Sequence, residues 1–319
     1  MTDALASAPP CLDPRKFRDP RVTAKGEARA QVALKSLETL WFNTGTLCNL
    51  TCQNCYIESS PKNDRLAYLS AAEVARYLDE ITTLELGTRL IGFTGGEPFM
   101  NRDLPAMLED VLSRGLDAIV LTNAMKPMQH KKRALLALRE RHGKRLTLRV
   151  SLDHYGAAVH ELERGTRSWG PTLDGLKWLA ANGFNINVAS RYLSGESEAA
   201  LRDGFRRLFV EHDIPLDGDD PVGLMVFPEM DPTVDVPEIT TACWGILNKS
   251  PDSVMCATSR MVVKHKGADT PSVVACTLLP YDKLWDLGPS LDGALGAVPL
   301  NHPHCAKFCV LGGAACSRG

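Results

Sequence analysis

Residues 37–56 read LETLWFNTGTLCNLTCQNCY: an apolar run of strand length, then a loop that carries Cys48, Cys52 and Cys55. Downstream the same alternation recurs. Strand-length runs at 90–93 (LIGF), 117–122 (DAIVLT), 146–152 (LTLRVSL), 184–190 (FNINVAS) and 222–227 (VGLMVF) are separated by helical patterns around 71–85, 103–114, 130–145, 172–182 and 196–210. Strands joined by helices of that length must pair in parallel through right-handed crossovers. The pattern therefore predicts an α/β fold: a parallel sheet curved into a partial (β/α)6 TIM-like barrel over residues 38–232. Reactive groups in such barrels sit on the loops after the carboxyl ends of strands, which is where the three cysteines fall.

The C-x3-C-x2-C spacing places three thiolates on one loop. Three such ligands can converge on one face of an iron–sulfur cubane and leave the fourth iron open to a chelating small molecule. Zinc suits the loop poorly, because structural zinc takes four ligands and no His or fourth Cys is near in sequence. The chain has ten cysteines and no apolar run long enough for a signal peptide or a membrane span. A cytoplasmic protein is expected, its cysteines serving metal or redox chemistry rather than disulfides. A net charge of −2 gives no bulk attraction to nucleic acid or to a membrane. The basic stretch 130–145 reads as the solvated face of an amphipathic helix.

The second strand runs into FTGGEPFM (93–100). With this motif and the cysteine loop on consecutive strand ends, the chain resembles the radical S-adenosylmethionine (SAM) superfamily. The resemblance implies that Cys48, Cys52 and Cys55 hold a [4Fe–4S] cluster. It also implies that Gly95, Gly96, Glu97 and Pro98 form the GGEP motif, whose backbone and carboxylate hold the methionyl amino group of SAM. Two glycines permit close backbone approach, and a carboxylate pairs with an ammonium. By the same resemblance Ser151 and Asp153, in RVSLDHYGAAVHELERGTRSWG (149–170), approach the SAM carboxylate or ribose. Arg191 is a candidate for the SAM carboxylate, and Asn123 lines the cavity. Asn54 stands where the family usually has an aromatic residue before the third cysteine, and Tyr56 follows the cluster loop.

Residues 1–37 are rich in Pro, Ala and charge and read as a poorly ordered extension with one short helix at most. After residue 232 the alternation stops, and 233–319 reads as a small cysteine-rich carboxy-terminal domain. Within it RMVVKHK (260–266) and SVVAC (272–276) form an expected β-hairpin. The tail resembles SPASM or twitch modules, which bind auxiliary clusters. That likeness implies an auxiliary [4Fe–4S] cluster with candidate ligands Cys256, Cys276, Cys305, Cys309 and Cys316, Cys243 being spare. One cubane takes four thiolates, so six tail cysteines saturate one cluster and not two. His302 and His304 keep a structural zinc site open as the alternative. Cys11 reads as chemically idle.

The expectation for function is an enzyme that reductively cleaves SAM to a 5′-deoxyadenosyl radical for hydrogen abstraction, served by an external one-electron donor such as flavodoxin or ferredoxin. The substrate expected from a SPASM-like tail is a peptide or protein side chain. Oxidation or rearrangement of a small metabolite is the alternative, favoured by the shortness of the segment before the barrel. A non-catalytic iron–sulfur electron carrier leaves GGEP without a purpose.

Overall fold

The computed structural model of the protein describes residues 11–192, 195–228 and 231–313. In chain order these hold β1 (Gln31–Val32), β2 (Thr39–Asn43), α1 (Ala71–Thr83), β3 (Leu90–Thr94), α2 (Leu104–Ser113), β4 (Asp117–Thr122), α3 (Lys126–Gln129) and α4 (Lys132–His142). Then follow β5 (Leu146–Ser151), α5 (Ala157–Arg164), α6 (Trp169–Ala181), β6 (Asn185–Arg191), α7 (Glu198–Glu211), β7 (Leu224–Phe227), α8 (Cys243–Ile246), β8 (Ser259–Val263), β9 (Ser272–Val274) and β10 (Val298–Pro299). A π-helix at Cys305–Leu311 ends the described chain. Among the described residues no helix is long and apolar enough to cross a membrane.

Strands β2 to β7 pair in parallel in sequence order, as the alternation of strand and helix requires. Both faces of the sheet are buried, so strand residues divide by parity. Leu40, Phe42, Ala118, Val120 and Val262 join the large core beneath the helices, while Trp41, Ile119, Met261 and Val263 form a smaller core on the opposite face. The start of α1 is fixed by Ser70 and Glu73, which cap each other's backbone. Helix α4 buries Leu135 and Leu138 of the basic stretch and leaves its charged residues outward or partly so.

Two features differ from the sequence expectation. The hairpin does not stand apart in a small tail domain: β8 pairs in parallel with β2, Leu40 opposite Arg260, and β9 runs antiparallel to β8. The sheet therefore has eight strands in the order β7-β6-β5-β4-β3-β2-β8-β9, an open partial barrel with β7 and β9 at its edges. Hydrophobic strands with one free neighbour position are completed by whichever segment can reach them, and β2 would otherwise be an exposed edge. Residues 11–37, in turn, are no loose extension and contain no helix. β1 pairs antiparallel with β10, Arg29 bridges to Thr240, and Cys11 to Val234. Ala30 and Val32 enter a second core with Val236, Ile239, Leu278, Trp285 and Phe308. Buried Arg29 forms an ion pair of 2.5 Å with Glu238. The segment lacks periodicity because its partners lie more than 200 residues away.

Candidate active site

The loop between β2 and α1 carries Cys48, Cys52 and Cys55, and all three line one cavity at the carboxyl end of the sheet. Thr94, Gly95 and Gly96 from the end of β3, Thr122 and Asn123 from β4, Ser151 and Asp153 from β5, and Ala189 and Arg191 from β6 line it too. Successive strand ends thus supply one wall each, the geometry that a parallel barrel imposes. Tyr56, Phe227, Leu278 and Phe308 complete it, with the Phe227 and Phe308 rings stacked at 5.5 Å.

The glycines have a more specific task than expected. Gly96 N–H donates to Gly45 O at 2.8 Å and Glu97 N–H to Leu47 O at 3.1 Å, so the strand end lies directly against the cysteine loop. A Cβ on Gly95 would sit 2.5 Å from Gly45 O, and Gly95 has a φ of +141°. The glycines admit the loop's own backbone as well as facing the cavity.

Glu97 and Pro98 do not line the cavity. The Glu97 carboxylate is buried and accepts from Thr122 Oγ1 at 2.9 Å, from Asn123 N–H at 2.8 Å and from Phe99 N–H at 3.2 Å. Burial pushes its pKa up to about 7 against those hydrogen bonds. Its carboxylate ties β3 to β4 beside the cysteine loop. What GGEP presents to the cavity is glycine backbone. Asn123 is tied in as well: its Nδ2 donates to Asn49 Oδ1 at 2.9 Å, beside Cys48. Ala124, next in sequence, takes a φ of +56°, an uncommon conformation for a residue with a Cβ.

Asp153 and Arg191 both reach the cavity but engage each other. Asp153 is paired with Arg164 at 2.6 Å and with Arg191 Nε at 3.3 Å. Burial works to raise the Asp153 pKa, and the two guanidinium groups overcome it, holding the carboxyl below its ordinary range. Arg191 also pairs with Glu163 and donates to Asn54 O at 2.9 Å. Glu163 in turn accepts from Asn54 N–H at 3.0 Å and from Asn54 Nδ2 at 2.8 Å. The segment between Cys52 and Cys55 is therefore held from below by a four-membered ionic network. Sequence reading missed Glu163 and Arg164; their only signal is a charged pair at the end of a helix that follows a barrel strand.

The cysteine loop fits a cluster by its donor chemistry. Burial pushes the Cys48 thiol up to about 12 and raises that of Cys52, so these sulfurs become thiolates only when a bound cation replaces the proton. Backbone N–H groups already face two of them, Leu50 at 3.4 Å from Cys48 Sγ and Ser59 at 3.3 Å from Cys55 Sγ.

A second set of sulfurs lies in the tail. Cys256, Cys276, Cys305 and Cys309 line one small enclosed cavity with Val254, Met255, Trp285, Val298 and Leu300. Cys305 and Cys309, four apart on the π-helix, face the same side, while Cys256 and Cys276 come from the turns before β8 and after β9. Trp285, which lines this cavity, has a buried indole Nε1 with no hydrogen-bond partner. Cys243 does not line this cavity; its Sγ takes Thr240 N–H at 3.3 Å. His302 and His304 do not line it either. Cys316 lies outside the described residues.

A parallel α/β partial barrel carries a three-cysteine loop after its first barrel strand, at the mouth where the other strand ends converge. Residues 42–206, just over half of the sequence, match the model of the Radical SAM superfamily, and the chain belongs to that superfamily. Its enzymes use a [4Fe–4S] cluster and SAM. The chain is 29% identical over 143 residues to the antilisterial bacteriocin subtilosin biosynthesis protein AlbA of Bacillus subtilis (strain 168), covering 44% of this chain and 30% of that protein. It is 30% identical over 190 residues to the GTP 3′,8-cyclase of Rhodococcus opacus (strain B4), covering 54% and 50%. The match spans half or less of these relatives. Among solved structures, SuiB of Streptococcus suis bound to S-adenosylmethionine superposes with a TM-score of 0.57 at 14% identity, over 78% of this chain and 62% of that one.

Proposed function

We propose that this enzyme acts on an uncharged side chain of a peptide or protein, and that Cys256, Cys276, Cys305 and Cys309 hold an auxiliary [4Fe–4S] cluster. The observation that carries the substrate reading is the charge state of the cavity. Its cationic lining groups, Arg164 and Arg191, are already paired with Asp153 and Glu163, and the remaining wall is largely apolar or neutral. A nucleoside triphosphate needs unpaired cations or N–H donors for its phosphates; a neutral side chain needs an apolar pocket with a few polar groups. AlbA, by its name a bacteriocin biosynthesis protein, points the same way, while the cyclases point to a small metabolite.

In this reading Cys48, Cys52 and Cys55 hold the SAM-binding cluster, which supplies the electron and the open iron for SAM cleavage. Gly95 and Gly96 offer backbone to SAM, and Asn123, Ser151 and Arg191 lie on the strand ends that surround it. Asp153 and Glu163 fix Arg191 and Arg164 beside Cys52. Tyr56, Phe227, Leu278 and Phe308 exclude water from the reacting centre. Leu278 follows Cys276 by two residues and Phe308 precedes Cys309, so the two cysteine sites share connecting chain. Four thiolates leave no iron for a substrate at the auxiliary site, which suits electron transfer. The electron donor is a small flavodoxin- or ferredoxin-type protein.

Anaerobically reconstituted enzyme with dithionite and SAM tests the reading. 5′-Deoxyadenosine is expected from the wild type, none from a Cys48/Cys52/Cys55 triple alanine variant, and stimulation by a library of unprotected peptides but not by GTP. Stimulation by GTP would overturn the substrate reading in favour of a small metabolite. No 5′-deoxyadenosine from fully loaded enzyme would favour an electron carrier. Iron without zinc in the triple variant is expected; zinc there would remove the auxiliary cluster.

A further inference from the structure

Arg260 is among the largest fully buried side chains, 1% exposed, and lies on β8 immediately beyond the turn that carries Cys256. Its guanidinium is fixed by backbone carbonyls: Nη1 donates to Cys256 O at 2.6 Å and to Ser259 O at 2.8 Å, Nε to Ala294 O at 2.9 Å, and Nη2 to Gly296 O at 2.9 Å. Arg29, also buried, and Arg164, partly buried, each have a carboxylate partner. Among the described residues no carboxylate lies within ion-pair distance of Arg260. Carbonyl dipoles satisfy its N–H groups but leave a whole positive charge inside the protein, a costly arrangement unless a negative charge stands nearby. Its Nη1 contact places the guanidinium against the turn that carries Cys256, whose thiol lines the cavity. On the opposite account sits Trp285, 1% exposed, which lines the four-cysteine cavity with an indole N–H that has no acceptor. An unbalanced cation thus holds the carbonyl of Cys256, and an unmatched donor belongs to a residue that lines the same cavity as that cysteine.

We infer that Arg260 and Trp285 form a built-in electropositive sphere for the auxiliary cluster, with Arg260 compensating its negative charge and Trp285 donating to one of its sulfurs, so that both raise its reduction potential. A cubane with four thiolates is an anion and becomes more negative on reduction. A fixed cation and an N–H donor stabilise the reduced form more than the oxidised one, which moves the potential upward. Arg260 is a positioning residue as well, since it ties the Cys256 carbonyl to the 294–296 turn.

The inference rests on the auxiliary-cluster reading, so the test is made in the full-length Cys48/Cys52/Cys55 triple alanine variant, where only that cluster remains. Its midpoint potential is measured by EPR of redox-poised samples. Arg260→Met is expected to shift the midpoint to more negative values, Trp285→Phe to shift it less in the same direction, and Arg260→Lys to stay near the parent. A loaded Arg260→Met at the parent potential would overturn the inference and leave the cluster reading standing. Should Arg260→Met fail to fold, Trp285→Phe and Arg260→Lys decide, and a parent-like midpoint in Trp285→Phe would overturn the inference. A parent variant that binds no iron would instead remove the cluster reading itself.

Discussion

Gly96 has no room for a side chain: a Cβ there would sit 2.2 Å from the Leu47 carbonyl oxygen, a backbone atom that cannot swing aside. Gly96→Ala must push the cysteine loop off the strand end, at a cost of about 1–3 kcal/mol. Reconstituted Gly96→Ala is expected to retain less iron at the first site and to form 5′-deoxyadenosine at least about tenfold more slowly, measured by iron analysis and product quantification. His160 makes a different kind of prediction. It is 0% exposed, packs edge-on to Trp169, and neither ring nitrogen has a hydrogen-bond partner. Burial, aided by Arg164, lowers its pKa to about 4. An unfolded histidine titrates near 6.5, so between those values the unfolded chain binds more protons, and stability present above about 6.5 is lost as pH falls toward 4. Urea midpoints at pH 7 and pH 5 are expected to differ for the wild type and to differ less for His160→Gln. Equal pH sensitivity in the two proteins would rule the histidine out as the source.

Helix α5 is short, yet its last turn places Glu163 and Arg164 under the cysteine loop, so the element works as a brace. Glu163→Ala removes the acceptor for both Asn54 donors and a partner of Arg191. It is expected to keep the helical content seen by circular dichroism while the first cluster loses iron faster to a chelator than in the wild type. Unchanged iron retention would show that the loop holds its shape without the brace. Asp153→Asn is more severe, because it takes from Arg164 its paired carboxylate and leaves Arg191 with Glu163 alone. Breaking a buried pair by removing one partner costs about 3–5 kcal/mol, a loss readable from chemical denaturation. The π-helix carries Cys305 and Cys309 into the second cavity and Phe308 into the first, so one element serves both sites.

At the scale of the whole molecule the amino-terminal segment is a structural strap. It pairs β1 with β10, contributes Ala30 and Val32 to the second core, and buries Arg29 against Glu238. Deletion of residues 1–37 is therefore expected to abolish cooperative unfolding of the tail, followed by tryptophan fluorescence of Trp285 and its neighbours. Arg29→Met, which leaves Glu238 buried without its cation, is expected to cost about 3–5 kcal/mol. A truncated protein with wild-type melting behaviour would return the segment to the status of a loose extension.

The sequence by itself determined the barrel and which loop brings Cys48, Cys52 and Cys55 to its mouth. Five- and six-residue apolar runs buried on both faces can be read from composition alone, and three thiols within eight residues are neighbours in any fold. Only the tertiary structure decided that Cys256, Cys276, Cys305 and Cys309 line one cavity, that β8 completes the sheet beside β2, that Glu97 ties β3 to β4, and that Arg191 is shared between Asp153 and Glu163. Those facts depend on contacts between segments far apart in the chain. Local propensity and spacing carry no record of which distant groups a closing sheet will press together, nor of which charge will be left to balance another.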